Sequence, residues 1–407
     1  MSDQMPKILS ISLNTWRKDS NSHTQTDLFK FWQPDCVAQI YTKSTLPDTP
    51  VCNTFFQISE NAVMKSVFNR KPVGRRVTNG SAGDEVTQKA VAQEQQIYAA
   101  GHKKRSDLLI LAREFVWIFG NWRTKALNQF VKDVDADVYF VPIYPVVYMG
   151  IIQSYILKKF PKPYVCYLAD DNYSYLNCHG IFSYIHRFWL RKYVKNLAQN
   201  CSEMFTITKT EAEDTDHLFG THSVVLTKGI DYTGLVYREI KPRTPIRMVY
   251  TGSLIIGRDA SLVAISRAME NINRDGEKIT LDIYSPTELD EVTMTALNSN
   301  GCHHHGNVPH NQVMVIQAEA DIVVFVESLE QKHRYAARLS FSTKLTDYFK
   351  SGKCIFAIGD KSIAPIEYLK ENDAAVISTE YSLIEENLRK LVDHPELMGQ
   401  YGRNAFA

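Results

Sequence analysis

Residues 137–172 read DVYFVPIYPVVYMGIIQSYILKKFPKPYVCYLADDN, and this stretch decides the fold. Asp137–Val141 is a short apolar run of β-branched and aromatic residues, Pro145–Phe160 has the length of a helix, and Tyr164–Leu168 is a second apolar run. Strand, helix and strand in this order form a β-α-β unit, whose strands lie parallel in a sheet covered by helices. Val138–Leu157 is uncharged for twenty residues, near the length of a membrane span. Pro142, Pro145 and Gly150 interrupt it, and a strand, a turn and a helix account for it better. Asp170 and Asp171 follow the second strand directly, where open α/β sheets keep their ligands. A plain polar turn would look the same.

Outward from this unit, Lys7–Leu13 reads as a buried parallel strand and Asn14–Thr24 as a polar loop. Residues 60–105 are polar and basic, which predicts an excursion with loose helices, and helical periodicity returns from Leu108 to Phe130. Residues 181–197 form an amphipathic helix, with Ile181, Ile185, Phe188, Trp189 and Tyr193 at helical spacing. Arg187, Arg191 and Lys195 line another face of it, as a solvated stripe or as a contact with an anionic membrane surface. A strand at 204–208 and a helix at 210–219 follow, and Lys241–Pro245 has the character of a linker.

Beyond the linker, strands are predicted at 247–252, 279–284, 303–307, 321–326, 354–358 and 374–378. Helices fit between them, at 259–273, 288–298, 311–318, 342–351 and 361–371, and after them at 381–392. This alternation is that of a doubly wound parallel sheet. The expectation is an α/β chain of two Rossmann-like domains, 1–240 and 246–407, facing across a cleft.

With 407 residues the chain exceeds one core, and its 44% hydrophobic and 22% charged residues are ordinary for a soluble protein. A net charge of +1 gives no reason to expect nucleic-acid binding. Seven cysteines without a CxxC pair point to reduced thiols and a cytoplasmic setting, and the opening apolar run is too short for a signal peptide. Cys302-His303-His304-His305 invites a metal reading, but alternate residues of a strand face opposite ways, so the three histidines do not converge. No metal site is expected.

Function is most legible in Arg338–Phe356, RLSFSTKLTDYFKSGKCIF. Ser342 or Thr343 can cap a short helix whose N-terminal amides suit a phosphate, and Lys344 adds a point charge. Asp347 shares their helix face and can accept bonds from the two hydroxyls of a ribose. An ordinary capped surface helix carries the same local pattern.

The second half resembles the retaining glycosyltransferases of the two-Rossmann-domain (GT-B) class, family 4-like. Val249–Leu254 with Gly257-Arg258-Asp259 looks like the strand, loop and helix whose basic residue meets the donor diphosphate. His305–Pro309 is similar to the turn near the nucleobase, Ala320–Ser328 to the strand ending at the active site, and Ser342–Lys353 to the lysine-leucine-x-acid-tyrosine helix. In the first half, the opening strand with its asparagine, the aspartate pair and Lys228-Gly229-Ile230-Asp231 fit as well. Three departures stand out. Leu339 occupies the place of the first family glutamate, the loop Asp19–Thr24 lacks a glycine pair, and the chain stops at Ala407, where family members commonly continue into a helix returning to the first domain.

The resemblance implies metal-independent transfer of a sugar from a nucleotide-diphosphate donor, a UDP-sugar or GDP-sugar, with retention. Gly252, Ser253, Arg258, Arg338, Ser342, Thr343, Lys344 and Asp347 would bind the donor, with Asn307 and Val308 near the base. Glu327, Arg258 and Lys344 would carry the chemistry, and Asn14, His23, Asp170 and Asp171 would line the acceptor side. The acceptor would be a saccharide or lipid-linked saccharide of surface polysaccharide or glycolipid synthesis, met at the inner face of a membrane. Alternatives are a nucleotide-sugar 2-epimerase-like enzyme and a non-catalytic nucleotide-sugar-binding scaffold.

Overall fold

The computed structural model describes residues 5–18, 24–80, 107–229, 231–239, 241, 243–333 and 335–407. The chain divides into two compact units, residues 1–229 and 230–407.

The first unit is built on the strands β1 (Ile8–Ile11), β2 (Val37–Tyr41), β3 (Thr54–Gln57), β4 (Arg75–Thr78), β5 (Val138–Pro142), β6 (Tyr164–Leu168), β7 (Glu203–Thr206) and β8 (Ser223–Val225). They lie in the order β4-β3-β2-β1-β5-β6-β7-β8, parallel except for the antiparallel pair β3 and β4. Among the described residues the helices are α1 (Thr24–Leu28), α2 (Glu60–Asn69), α3 (Asp107–Phe119), α4 (Lys125–Val134), α5 (Val147–Lys159), α6 (Ile181–Asn200) and α7 (Lys209–Phe219). The central strand β1 is buried along its whole length, as a parallel strand covered on both faces must be. Trp117 of α3 stacks on Tyr148 of α5, ring centroids 4.4 Å apart, which anchors α3 to the helix covering β5.

Two expectations need correction here. The polar stretch from residue 60 is not a loose excursion throughout. Ser59 caps α2 by accepting from the Ala62 amide, and Arg75–Thr78 joins the sheet as β4. Its sequence looks unlike a strand because it is a sheet edge, where only Val77 is buried and arginines face water. Residues 81–105 of that expectation lie outside the described residues. The second correction concerns α6, which has two apolar stripes. Leu190, Val194, Leu197 and Ala198 are the buried ones, whereas Ile181, Ile185 and Phe188 are exposed. The expected basic stripe is partly tied down, since Arg187 and Arg191 donate to the backbone oxygens of Asp171 and Tyr173.

The second unit is a six-stranded sheet of β9 (Ile246–Thr251), β10 (Ile279–Tyr284), β11 (Cys302–Gly306), β12 (Ile322–Val326), β13 (Cys354–Ile358) and β14 (Val376–Ser378). All pairs are parallel, in the order β11-β10-β9-β12-β13-β14. The helices are α8 (Arg258–Ile272), α9 (Glu291–Ala296), α10 (His310–Ala318), α11 (Thr343–Ser351), α12 (Ala364–Glu371), α13 (Leu383–Asp393) and α14 (Glu396–Phe406). Neighbouring residues feed opposite faces: Met248 and Val324 join one core with Leu262 and Ile265, while Val249 and Val323 join another with Leu345 and Phe349. Helices therefore cover both faces, the doubly wound arrangement. Residues ahead of the linker also pack on this unit, since Tyr237 donates its hydroxyl to the Gly399 carbonyl at 3.0 Å and Tyr232 meets the Phe406 ring edge-on. Among the described residues, no helix is long and apolar enough to cross a membrane.

Candidate functional site

In the second sheet the chain runs outward from β9 through β10 to β11, then returns to the other side of β9 for β12, β13 and β14. The junction of β9 and β12 is thus the switch point, and the crevice beyond their C-terminal ends is the default ligand site of such a sheet. The loop into α8, the residues after β12 and the N-terminus of α11 meet there.

β9 ends at Thr251 and is followed by Gly252, with φ at +136°. A Cβ at this position would fall 2.6 Å from Lys344 Cε, so a side chain there would displace the end of the lysine, and the positive φ itself favours glycine. Ile256, a β-branched residue, is held at φ +61° and is followed by Gly257 at φ +73°. Such a conformation is rare for a branched side chain, costs about 1–3 kcal/mol, and concentrates at functional loops. Gly257 also lacks space for a side chain, with Glu330 Oε2 2.8 Å from the Cβ position.

Arg258 opens α8 and forms a two-pronged ion pair with Glu327, Nε to Oε2 at 3.0 Å and the second nitrogen to Oε1 at 2.8 Å. Glu327 follows β12 and is 6% exposed. Its amide donates to the Ile358 carbonyl, and its own carbonyl accepts from Ser261 Oγ. Both carboxylate oxygens therefore serve Arg258, a pairing that fixes the guanidinium.

Lys344 lies in the first turn of α11. Its Nζ stands 4.8 Å from the centroid of the Tyr250 ring and 3.4 Å from the tyrosine oxygen. Burial, joined by the Arg258 charge and opposed by Glu327, pulls the Lys344 ammonium down to about 8. Burial pushes the Tyr250 hydroxyl far above its ordinary value, so this neighbour stays neutral. Ser342 takes the N-cap position, but its hydroxyl makes no cap bond, in contrast to the expected side-chain cap. The site thus gathers two cations, one shared carboxylate and a helix N-terminus without a side-chain acceptor. That combination suits a diphosphate.

Other predicted residues sit around this centre. Asp347 is half-buried one turn along α11. Ser253 accepts the Tyr250 hydroxyl on its carbonyl at 2.6 Å. Asn307 and Val308 follow β11 on the same sheet edge, two strands from β9, or about 10 Å. The Arg338 carbonyl accepts the first amide of α12, from Ala364, while Leu339 is fully buried core. His305 pairs with Asp282 at 2.7 Å and stacks on Tyr284, an arrangement that ties the outer strands together. Among the described residues no three histidine, cysteine or acidic side chains cluster as a metal site.

In the first unit, β1, β5 and β6 are parallel neighbours, so Asn14 and Asp170 share one sheet edge. Asn14 is exposed and its carbonyl accepts from the buried Gln39. Asp171 turns back to accept from the Ser174 amide at 2.9 Å, which makes it a turn-former. Asp170 is exposed, yet the surrounding protein and then the Asp171 charge raise its carboxyl to about 6. His23 lies outside the described residues. Two residues at the same edge carry no signal in the sequence: Gln25 donates to Tyr144 at 3.0 Å and accepts from the Trp16 indole at 3.2 Å.

A third unanticipated residue is Glu114. Its carboxylate is 0% exposed and accepts the first amides of α5, from Val147 at 3.0 Å and Tyr148 at 2.7 Å, with His186 Nε2 at 3.0 Å. The helix N-terminus after β5, a natural anion site, is therefore filled by the protein's own carboxylate.

No protein-family model matches the chain, and no curated protein matches it in sequence. Solved structures are similar to it. Anabaena Alr3699/HepE in complex with UDP matches with a TM-score of 0.56 at 11% identity, over 98% of this chain and 93% of that one. WaaG, a glycosyltransferase involved in lipopolysaccharide biosynthesis, matches with a TM-score of 0.53 at 12% identity, over 98% and 94%. TarM matches with a TM-score of 0.51 at 11% identity over 68% of this chain, which spans about half of TarM's length (53%). At these identities the likeness establishes the fold: two parallel-sheet domains of the GT-B glycosyltransferase kind.

Proposed function

We propose that this protein is a glycosyltransferase, moving a sugar from a nucleoside-diphosphate donor to an acceptor hydroxyl with retention of the anomeric configuration. The observation that carries the proposal is the meeting of Lys344, the Arg258–Glu327 pair, Gly252 and the N-terminus of α11 at the switch point of the second sheet. Departure of a diphosphate from a sugar leaves an oxocarbenium-like centre and a leaving group rich in charge, and fixed cations lower that barrier. Lys344, Arg258 and the amides of Ser342 and Thr343 hold the diphosphate. Glu327 acts on the donor through Arg258. Asp347 takes the ribose hydroxyls, Gly252 and Ser253 line the phosphates, Arg338 borders the donor, and Asn307 and Val308 flank the base.

The donor half contains no Asp-x-Asp motif, so the cationic role falls to side chains, in line with a metal-independent reaction. The UDP in the HepE structure supports a UDP-sugar over a GDP-sugar. WaaG's part in lipopolysaccharide synthesis supports a saccharide or lipid-linked saccharide acceptor in surface polysaccharide or glycolipid synthesis. On this reading the acceptor meets Asn14, His23, Asp170 and Asp171 of the first unit.

Product analysis tests the reaction. Incubation with UDP-hexoses and an oligosaccharide acceptor is expected to release UDP and give a glycoside with the donor's anomeric configuration. A 2-epimer formed from donor alone would overturn the transferase reading in favour of an epimerase. Donor binding with no product would leave a binding protein.

A further inference from the structure

The first unit carries an apolar surface that the donor site does not use. The N-terminal half of α6 leaves Ile181 and Phe188 in solvent, each 70% exposed, with Ile185 between them. α3 packs beside α6 and turns Leu111, Glu114 and Trp117 inward, while Phe115 and Phe119 stay more than half exposed. The Phe115 ring lies 6.0 Å from that of Trp189, which joins the two faces. Beneath them the helices are clamped, because Glu114 of α3 bonds both His186 of α6 and the start of α5. Single exposed apolar side chains are ordinary, but a row of aromatics across two clamped helices is not.

Charge says what covers it. The chain as a whole carries +1, yet α6 holds four lysines and arginines and no carboxylate, and its Lys192 and Lys195 are exposed. A hollow of about 590 Å³ opens beside Phe188, Trp189 and Tyr193, bordered by Lys192 and Lys195 and by no carboxylate. Aromatic side chains that enter the acyl boundary, beside lysines whose ammonium groups stay at phosphate level, match the interface of an anionic bilayer. A second copy of the chain fits poorly, since a two-fold contact would set each lysine row against its equivalent.

We infer that the α3–α6 face docks flat on an anionic lipid bilayer, with Lys192 and Lys195 taking lipid phosphates at the hollow. This goes beyond the donor-site reading and holds whether or not a sugar is transferred. Co-sedimentation of the full chain with vesicles tests it, using phosphatidylcholine alone and an equal mixture of phosphatidylcholine and phosphatidylglycerol. The protein is expected to pellet with the mixed vesicles, less at high salt, and weakly with the neutral ones. Ile181→Glu with Phe188→Glu should abolish pelleting, and Lys192→Gln with Lys195→Gln should weaken it about thirtyfold. Met314→Glu, an exposed position of the second unit, should change nothing. All these side chains are on the surface, so melting temperature and the response to UDP should stay as in the parent, which separates this test from the donor-site one. Absence of pelleting with the mixed vesicles would overturn the inference. So would unchanged pelleting of the Ile181/Phe188 variant, or a solution dimer that this variant splits.

Discussion

Lys344 Nζ occupies the space that a side chain at residue 252 would need, and it rests there over the face of Tyr250. The strand end, the missing Cβ and the helix cation are thus one device. Gly252→Ala should push the lysine out of the crevice and force a left-handed alanine. A loss of about 1–3 kcal/mol in stability is expected. Affinity for a nucleoside diphosphate should fall at least about tenfold by calorimetry, as for a lost charged hydrogen bond.

The pH dependence follows from the same lysine. Burial pulls its ammonium down to about 8, below the ordinary 10.5. Diphosphate affinity should decline as pH rises above 8 and the cation is lost, while Lys344→Gln should remove this decline. Stability runs the other way. Between about 8 and 10.5 the unfolded chain binds the proton that the folded chain has released, so stability should rise with pH across that window. Titrations of binding and of melting temperature should slope in opposite directions.

Arg258 and Glu327 form a largely buried pair, with side chains 21% and 8% exposed. Removing either partner strands a charge, so Arg258→Met and Glu327→Leu should each cost about 3 kcal/mol. The double variant should be less destabilised than the sum, with a coupling of about 1–3 kcal/mol in a denaturation cycle. All three should bind nucleoside diphosphate weakly if Glu327 acts by holding Arg258.

Glu114 of the first unit offers a control. Glu114→Ala leaves the two opening amides of α5 and His186 without their acceptor in the core, a loss of about 2–4 kcal/mol. Donor affinity of the folded fraction should not change.

Much of the second unit was legible because its strands are continuous apolar runs, such as Ile322–Val326, separated by helices with clear periods. The first unit was harder. β4 reads as a basic loop because edge strands are kept charged, and α6 offers two apolar stripes of which only the aliphatic one is buried. In the site, Lys344 and Arg258 could be proposed from motif order, whereas the engagement of both Glu327 oxygens by Arg258 depends on two loops far apart in sequence. Glu114 could not be found at all. Nothing in a helical Arg-Glu pair says that its carboxylate turns inward onto another helix.

The most direct measurement of the central claim is a thermal-shift panel of UDP, GDP, CMP, dTDP and ADP, each with and without Mg²⁺, on the parent chain and on Lys344→Ala and Asp347→Ala. Ligand binding raises the melting temperature through RT ln(1 + [L]/Kd). The site described here predicts a shift with UDP, equal with and without magnesium, and absent in both variants. A parent chain indifferent to every nucleotide, or a UDP shift that survives both substitutions, would contradict it.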